Sequence, residues 1–536
     1  MTQGNHFAQE LKELAALIGG LQRGELTRPE FRSHSVHLGV YTQRQPDRYF
    51  VRIRAPLGVL TVPQLNALAE TAERRADGEC HLTTRQGVEL HNLSLEGTLE
   101  ASIELASVDL PSHESGGNTV RGIVACPHAG NGGNEPFDVT EYAALLNQQF
   151  LRHHDFQTLP RKIKIGFSCC VDDCAHTALQ DIGFQARTDD AGQRGFRVLV
   201  GGGTGALPRL AKEFIDFLSA SDLLIFTEAF LRAFNRLGER QNRRRARVKF
   251  LVESLGLERL REEVTTEWNA LKIARKDWPS VEEPIRRQTQ EGPRHSLRVA
   301  LHGGNITSDQ LCRLALLVGK YALTLRTTPE QDFLLRGIRP EQLGSIQAAL
   351  LEAGLVPDNS NLHLTACPGS TACSNAFTNS QALAQAISHK LAKAGSAVAD
   401  EPLRIRVSGC TNGCALHVIA DIGLEGLAQR HDGALIPAYR LWLGGQSHQQ
   451  QPRFAADLGI VPARRVADCV FDVISLYHRE RHLDESLSDI LHRIGVAPFA
   501  AVAQRHRESG DLRDLATDIG EQATYRAQAD APATTC

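Results

Sequence analysis

Residues 408–424 read SGCTNGCALHVIADIGL, and residues 168–184 read SCCVDDCAHTALQDIGF. At an offset of 240 the two stretches share a serine, both cysteines of a C-x3-C pair, an alanine and Asp-Ile-Gly. Three more segments recur in the same order: VRIRAPLGVLTVPQL (51–65) with LRVALHGGNITSDQL (297–311), LTTRQ (82–86) more loosely with RTTPE (326–330), and FRVLVGGG (196–203) with YRLWLGGQ (439–446). This ordered recurrence predicts a tandem duplication.

Each copy has two parts with different patterns. The first part alternates apolar and polar residues on either side of a helical stretch, which predicts strand, helix and strand as in a ferredoxin-like half. In the second part, strands run into turns rich in glycine and cysteine. We therefore expect an α+β fold with pseudo-two-fold symmetry. Its predicted segments are a helical 1–36, ferredoxin-like halves 37–106 and 286–352 that pair into one domain, cysteine-bearing α/β domains 107–285 (with a helical connector) and 353–505, and a polar tail 506–536.

Four cysteines of the second copy form the strongest chemical signal. Cys367 and Cys373 are spaced C-x5-C in TACPGSTAC, and Cys410 and Cys414 are spaced C-x3-C. Four thiolates are what a 4Fe–4S cluster needs, and small neighbours leave backbone N–H groups free to bond sulfur. Zinc, a disulfide pair and incidental thiols are the alternatives, although the C-x5-C spacing fits zinc poorly.

The first copy retains only part of this cysteine set. Cys126, Cys170 and Cys174 match three of the four positions, and the fourth falls near Gly132. Cys169 or His128 is a further candidate ligand. A degenerate relic of the duplication is the simpler interpretation of these thiols.

Composition limits the classes of function. The chain has 536 residues, 59 Lys and Arg against 62 Asp and Glu, and a net charge of −3, which gives no sign of a nucleic-acid partner. No apolar run is long enough to cross a membrane, and the N-terminal stretch resembles an amphipathic helix rather than a signal peptide. With 12 cysteines and no secretion signal, we expect a cytoplasmic protein that uses metal or redox chemistry.

Basic residues alternate inside otherwise apolar strands. Arg52 and Arg54 alternate in RYFVRIRAP, and Lys162 and Lys164 alternate in LPRKIKIGFS, so each pair faces one side. Such pairs are costly to bury without an anion, although a solvated face is the ordinary explanation for any single charge.

The cysteine pattern resembles that of the sirohaem–4Fe–4S sulfite and nitrite reductases, over roughly residues 37 to 500. The resemblance implies sirohaem and a 4Fe–4S cluster as cofactors, with Cys367, Cys373, Cys410 and Cys414 as cluster ligands and Cys414 also on the sirohaem iron. It implies that the substrate anion is held by Arg52, Arg121, Lys162 and Lys164. It implies that the sirohaem carboxylates are contacted by Arg85, Gln86, Arg243 and Lys249.

The same resemblance implies a six-electron reduction with electrons from an external ferredoxin or flavoprotein. Lys162-Ile163-Lys164 has the Lys-x-Lys form of the sulfite reductases rather than the Lys-x-Asn form of the nitrite reductases, so we expect sulfite as substrate. The alternatives are a nitrite reductase of the same architecture, a precorrin-3B synthase-like protein of cobalamin biosynthesis, and an electron-transfer subunit without its own catalysis.

Overall fold

The structure is a computed structural model that describes residues 3–131, 135–274, 294–358, 362–393, 403–431, 434–483, 485–508 and 515–526. Its described residues form four five-stranded sheets in two matching pairs. One pair belongs to the ferredoxin-like halves and the other to the cysteine-bearing domains. The matching strand orders confirm the predicted duplication and the α+β class.

The two ferredoxin-like sheets exchange a strand. The first sheet has the order β1 (Val40–Thr42), β2 (Tyr49–Ile53), β5 (Val88–Leu93), β4 (Glu79–Leu82) and β12 (Asn305–Thr307). The second has the order β15 (Val356–Asp358), β11 (His295–Ala300), β14 (Phe333–Ile338), β13 (Thr324–Thr327) and β3 (Val59–Leu60). Because β12 completes the first sheet and β3 completes the second, neither half finishes its sheet alone.

The helices of these halves share one apolar core that draws residues from both copies. They are α1 (Gln3–Gln22), α2 (Arg28–Ser35), α3 (Val62–Arg75), α4 (Leu95–Ala106), α9 (Ser308–Lys320) and α10 (Leu343–Glu352). α3 packs against α9 across the pseudo-two-fold axis. Both helices begin with a capping box, built by Thr61 with Gln64 and by Thr307 with Gln310, which satisfies the first backbone N–H groups. The halves therefore pair into one domain, as predicted.

The two cysteine-bearing domains have sheets of identical order. The first is β6 (Val124–Ala125), β7 (Ile165–Ser168), β8 (Ile182–Thr188), β9 (Arg194–Val200) and β10 (Lys212–Ser219). The second is β16 (His363–Ala366), β17 (Arg404–Ser408), β18 (Ile422–His431), β19 (Ala434–Leu443) and β20 (Ala456–Pro462). In both, the first three strands are parallel and the last two antiparallel. The cysteines follow the first two strands of each sheet, so parallel pairing brings them to one edge.

Helices cover these sheets and form two separate cores. In the first domain they are α5 (Thr140–Phe150), α6 (Leu223–Leu237), α7 (Val248–Leu255) and α8 (Leu257–Ala274). In the second they are α11 (Ser380–Lys393), α12 (Ala463–Glu480), α13 (Leu487–Ile494) and α14 (Ala497–Glu508). The predicted connector is helical in α7 and α8, whereas its end, the 285/286 boundary, Gly132 and much of the tail lie outside the described residues. The predicted domain bounds stay predictions.

Candidate active site and cofactor cavity

The turns that carry the C-x3-C cysteines have the same backbone in both copies. After β7, Asp173 and His176 have φ values of 51° and 49°, and after β17, Gly413 and Leu416 have φ values of 64° and 62°. This left-handed conformation is costly except for glycine, so the surrounding contacts must hold it. The turn wraps the chain tightly around the cysteines, as the small residues in the sequence suggested.

All four predicted cluster cysteines line one large cavity: Cys367, Cys373, Cys410 and Cys414. The backbone N–H of Gly409 donates to Cys367 Sγ at 3.2 Å, and the Ser380 hydroxyl donates to the Cys367 carbonyl at 2.8 Å. An N–H that bonds a thiolate stabilises its charge and tunes a cluster that it holds.

The first ferredoxin-like half closes over these cysteine loops. Arg44 donates to the Ala376 carbonyl at 3.2 Å, and Gln45 donates to the Thr371 carbonyl at 2.8 Å. The Thr84 hydroxyl donates to the Cys414 carbonyl at 2.8 Å. Because these donors and the loops lie far apart in sequence, only the tertiary fold builds the cavity.

The opposite wall of the cavity is basic. It contains all four residues predicted to hold the anion and two further arginines: Arg52, Arg54, Arg85, Arg121, Lys162 and Lys164. Two of the arginines are held by carboxylates, since Arg52 Nε lies 2.6 Å from Glu89 and Arg54 Nη1 lies 3.2 Å from Glu114. Both members of each alternating basic pair line the cavity.

Arg85 is held on the wall of the cavity by two hydrogen bonds. Its Nη1 donates to Gln180 at 2.9 Å and its Nη2 to the Gly122 carbonyl at 2.6 Å. Its Nε is buried and has no hydrogen-bond partner among the described residues. Burial, and then the charge of Arg121, lower the pKa of Arg85 to about 9, so it stays cationic at neutral pH. Arg85 is a half-buried cation on the wall of the cavity, which suits an incoming carboxylate.

Lys164 is held in place by a buried carboxylate. Its backbone N–H donates to Asp181 at 2.8 Å, and Asp181 also accepts from Arg247 Nε and Nη2 at 2.9 and 2.8 Å. Burial, followed by the charges of Arg85 and Arg247, lowers the pKa of Lys164 to about 7. The ammonium therefore exchanges its proton near neutral pH.

Three residues that the resemblance assigned to the sirohaem carboxylates do not line the cavity: Gln86, Arg243 and Lys249. Arg243 lies exposed in a short turn after α6. Lys249 is buried and donates to the carbonyls of Thr204 and Leu207 at 2.7 and 2.6 Å. The Thr204 hydroxyl in turn donates to the Asn412 carbonyl at 3.1 Å, so Lys249 supports a loop that holds the cysteine turn.

Gln86 instead ties the repeats together. Its side chain donates to the Thr327 carbonyl at 3.0 Å and accepts from the Ala125 N–H at 2.9 Å. Gln331 does the same in the other copy, donating to the Leu82 carbonyl at 2.7 Å and accepting from the Ala366 N–H at 2.8 Å. Each glutamine therefore fixes a strand that leads into a cysteine.

This match corrects the register of the loose repeat LTTRQ and RTTPE by one residue, because Gln86 corresponds to Gln331 and Arg85 to Glu330. Glu330 lies 3.0 Å from Arg406 Nη2 and 3.4 Å from His176 Nε2. Arg406 is almost fully buried and stands where the first copy has Gly166. Among the described residues, an ion pair therefore occupies the pseudo-symmetric counterpart of the Arg85 site.

Sequence reasoning missed several lining residues. Thr84 is adjacent to Arg85 in the quoted LTTRQ, yet only its bond to Cys414 marks it. Glu89, His81 and His91 lie on β4 and β5, and no local pattern sets them apart from ordinary strand residues.

Convergent cysteines at one edge of a sheet indicate a metal-dependent oxidoreductase, and the basic wall of the cavity indicates that it binds anions. The chain belongs to the nitrite and sulfite reductase family. Residues 116–272 and 358–509 match the family described as "Nitrite and sulphite reductase 4Fe-4S domain". Residues 41–108 and 286–353 match the "Nitrite/Sulfite reductase ferredoxin-like half domain".

Named relatives match most of the chain. It is 31% identical to the ferredoxin–nitrite reductase of Synechococcus elongatus, over 89% of this chain and 92% of that protein. It is 28% identical to sulfite reductase [ferredoxin] 2 of Mycolicibacterium paratuberculosis, over 77% and 79%. The solved structure of the Mycobacterium tuberculosis NirA protein has the same fold, with a TM-score of 0.78, 24% identity and coverage of 90% and 96%.

Sirohaem and a 4Fe–4S cluster are the cofactors of this family, and the cavity fits them. About 1350 Å³ free of protein atoms lies between its walls, the open solvent at its mouth included. Apolar side chains such as Phe50, Ile53 and Ile123 suit the macrocycle, and the six cations suit its carboxylates. Among the described residues, no helix combines the length and apolar content needed to cross a bilayer.

Proposed function

We propose that the protein reduces nitrite to ammonia, with six electrons delivered one at a time by reduced ferredoxin. The observation that carries the proposal is that one cavity joins the four thiols to four cations that suit a small anion. The choice of nitrite and ferredoxin is supported by the relatives, since the Synechococcus elongatus protein and several plant relatives bear the name ferredoxin–nitrite reductase. A cytoplasmic location stays a prediction.

In this proposal Cys367, Cys373, Cys410 and Cys414 hold the cluster, and Cys414 also ligates the sirohaem iron. When bound, the sirohaem–cluster pair supplies the electrons and the metal position for the substrate. The Thr84 hydroxyl fixes the Cys414 carbonyl and with it the path of the chain at this ligand. Arg85 would bind a cofactor carboxylate from the wall of the cavity.

The anion is bound by Arg52, Arg121, Lys162 and Lys164. Their positive charge compensates that of nitrite and weakens its N–O bonds, which is the general role of preorganised cations. Converting nitrite to ammonium consumes eight protons, so a proton donor must be recharged repeatedly. With a pKa of about 7, Lys164 can give up a proton at neutral pH and regain it from solvent.

Sulfite is the second candidate substrate, and the observation that favours it is the lysine pair. Lys162 and Lys164 both line the cavity, whereas the resemblance associates nitrite reductases with Lys-x-Asn. Sulfite carries one more negative charge and one more oxygen than nitrite, so a second ammonium gives it more stabilisation.

The test is anaerobic turnover of the holoenzyme with reduced ferredoxin, comparing kcat/KM for nitrite and sulfite. We expect the higher value with nitrite and ammonia as the product. A higher value with sulfite, with sulfide as product, would replace nitrite by the second candidate. Lys164→Asn is the informative variant, since it should raise the nitrite-to-sulfite ratio. Failure to reduce either anion, with both cofactors bound, would contradict the proposal.

A further inference from the structure

We propose that Cys126, Cys170 and Cys174 form a second metal site, which takes one tetrahedral thiophilic ion such as Zn²⁺. Their three sulfur atoms all lie within 4.8 Å of one another. Cys126 Sγ lies 3.7 Å from Cys170 Sγ, which lies 3.1 Å from Cys174 Sγ. This site is separate from the four cysteines of the cofactor cavity, and no step of the proposed reaction uses it.

The distances agree with coordination of a single ion. A tetrahedral site with Zn–S bonds of about 2.3 Å places its sulfurs about 3.8 Å apart. The Cys126–Cys170 pair already has this spacing, and the Cys170–Cys174 pair would open by about 0.7 Å. A disulfide would use only two of the thiols and require a sulfur separation of about 2.05 Å, which leaves the third convergent sulfur without a role.

The position of the thiols is fixed by the fold. Cys126 N–H donates to the Phe167 carbonyl at 2.9 Å, the same bond that Cys367 makes to Val407 at 3.1 Å in the other copy. Cys174 N–H donates to Cys170 Sγ at 3.4 Å, which prepares that sulfur to carry negative charge. The backbone that positions the cysteines is therefore similar in both copies, even though only the second copy has all four cysteines of the pattern.

A buried cation from the other half fastens the loop of Cys126. Arg326, which is 1% exposed, donates to the carbonyls of Cys126, Pro127 and Ala129 at 3.5, 3.3 and 3.4 Å. Such a rigid loop pays little ordering entropy when an ion binds. An ion here would join β6 and β7 next to the contact with the second ferredoxin-like half.

The fourth coordination position falls to Cys169 or to water. Cys169 is buried next to these three cysteines, and its thiol donates a hydrogen bond to Glu135 at 3.3 Å. A 4Fe–4S cluster needs one thiolate for each iron, and the position matching Cys373 is a glycine segment in this copy, so a single ion fits the donor set better.

The experiment measures zinc and iron per chain in the purified holoenzyme by mass spectrometry. We expect about one zinc per chain in the native protein and in Cys312→Ser, a control at a half-buried thiol outside the site. The double variant Cys170→Ser/Cys174→Ser should lose the zinc while its iron content and sirohaem spectrum stay unchanged. That readout separates this site from the proposed function, which depends on iron alone.

If the double variant fails to fold, the metal site can be tested in the native protein. Cobalt exchanged for zinc should give thiolate charge-transfer bands and tetrahedral ligand-field bands. The proposal is overturned by native protein without zinc after growth with added zinc, by a Cys170–Cys174 disulfide in its peptides, or by extra iron that the double variant loses.

Discussion

Replacing Arg85 by methionine tests whether this side chain binds a carboxylate of the sirohaem. Its Nη1 and Nη2 donate to Gln180 and Gly122, and these bonds hold the cation on the cavity wall. A carboxylate that binds against this cation gains one charge-assisted hydrogen bond from the guanidinium, worth about 1.5–3 kcal/mol. At about 1.4 kcal/mol per tenfold, the Kd for sirohaem should rise roughly ten- to a hundredfold in Arg85→Met.

The assay is a titration of the apoprotein with sirohaem, followed by the absorption of the bound cofactor. Arg85→Lys keeps the charge but not the guanidinium fork, so it should recover part of the affinity. Glu330→Gln is the matched control, because Glu330 occupies the equivalent position in the other copy and bonds Arg406 instead of facing the cavity. Its melting temperature should fall while its sirohaem Kd stays unchanged.

Two results would refute this reasoning. One is an unchanged Kd in Arg85→Met, which would mean that Arg85 does not contact the cofactor. The other is an equal loss of affinity in Glu330→Gln, which would mean that the affinity reports general stability. Melting temperatures of both variants distinguish a local loss of binding from unfolding.

Three further outcomes follow from the same contacts. Gln86→Ala and Gln331→Ala should each lower the melting temperature, because each leaves a buried backbone N–H unpaired at a cost of about 1–3 kcal/mol, and a normal melt for either would contradict this. In the apoprotein, anion affinity measured by calorimetry should weaken as the pH rises through about 7, where Lys164 loses its charge, and Lys164→Met should flatten that profile. Thr84→Val should shift the reduction potential of the bound cofactors by loosening the Cys414 loop, whereas Thr84→Ser should keep the native value.

The sequence could predict the site only where its residues are close together or repeated. The cysteine pairs are local motifs, and Arg52 with Arg54 and Lys162 with Lys164 stand out by alternation within a strand. The resemblance assigned Gln86 together with Arg85 to the sirohaem carboxylates; in the structure Gln86 has a left-handed φ of 61°, and its side chain donates to Thr327 of the other repeat. Arg85 and Gln86 are therefore adjacent in the sequence, but their side chains lie in different environments.

The sequence by itself predicted the duplication, the fold class and the four cysteines as cluster ligands, because repeats, strand periodicity and thiol spacing are local patterns. Only the tertiary structure decided which copy keeps an open cavity. The first copy has Arg85 and Gly166 where the second copy has Glu330 and Arg406. The effect of these residues depends on partners far away in the chain. In the first copy the cation Arg85 lines the cavity and can meet an anion, whereas in the second copy Glu330 and Arg406 neutralise each other. Which of the two occurs depends on distances between residues that are far apart in the sequence.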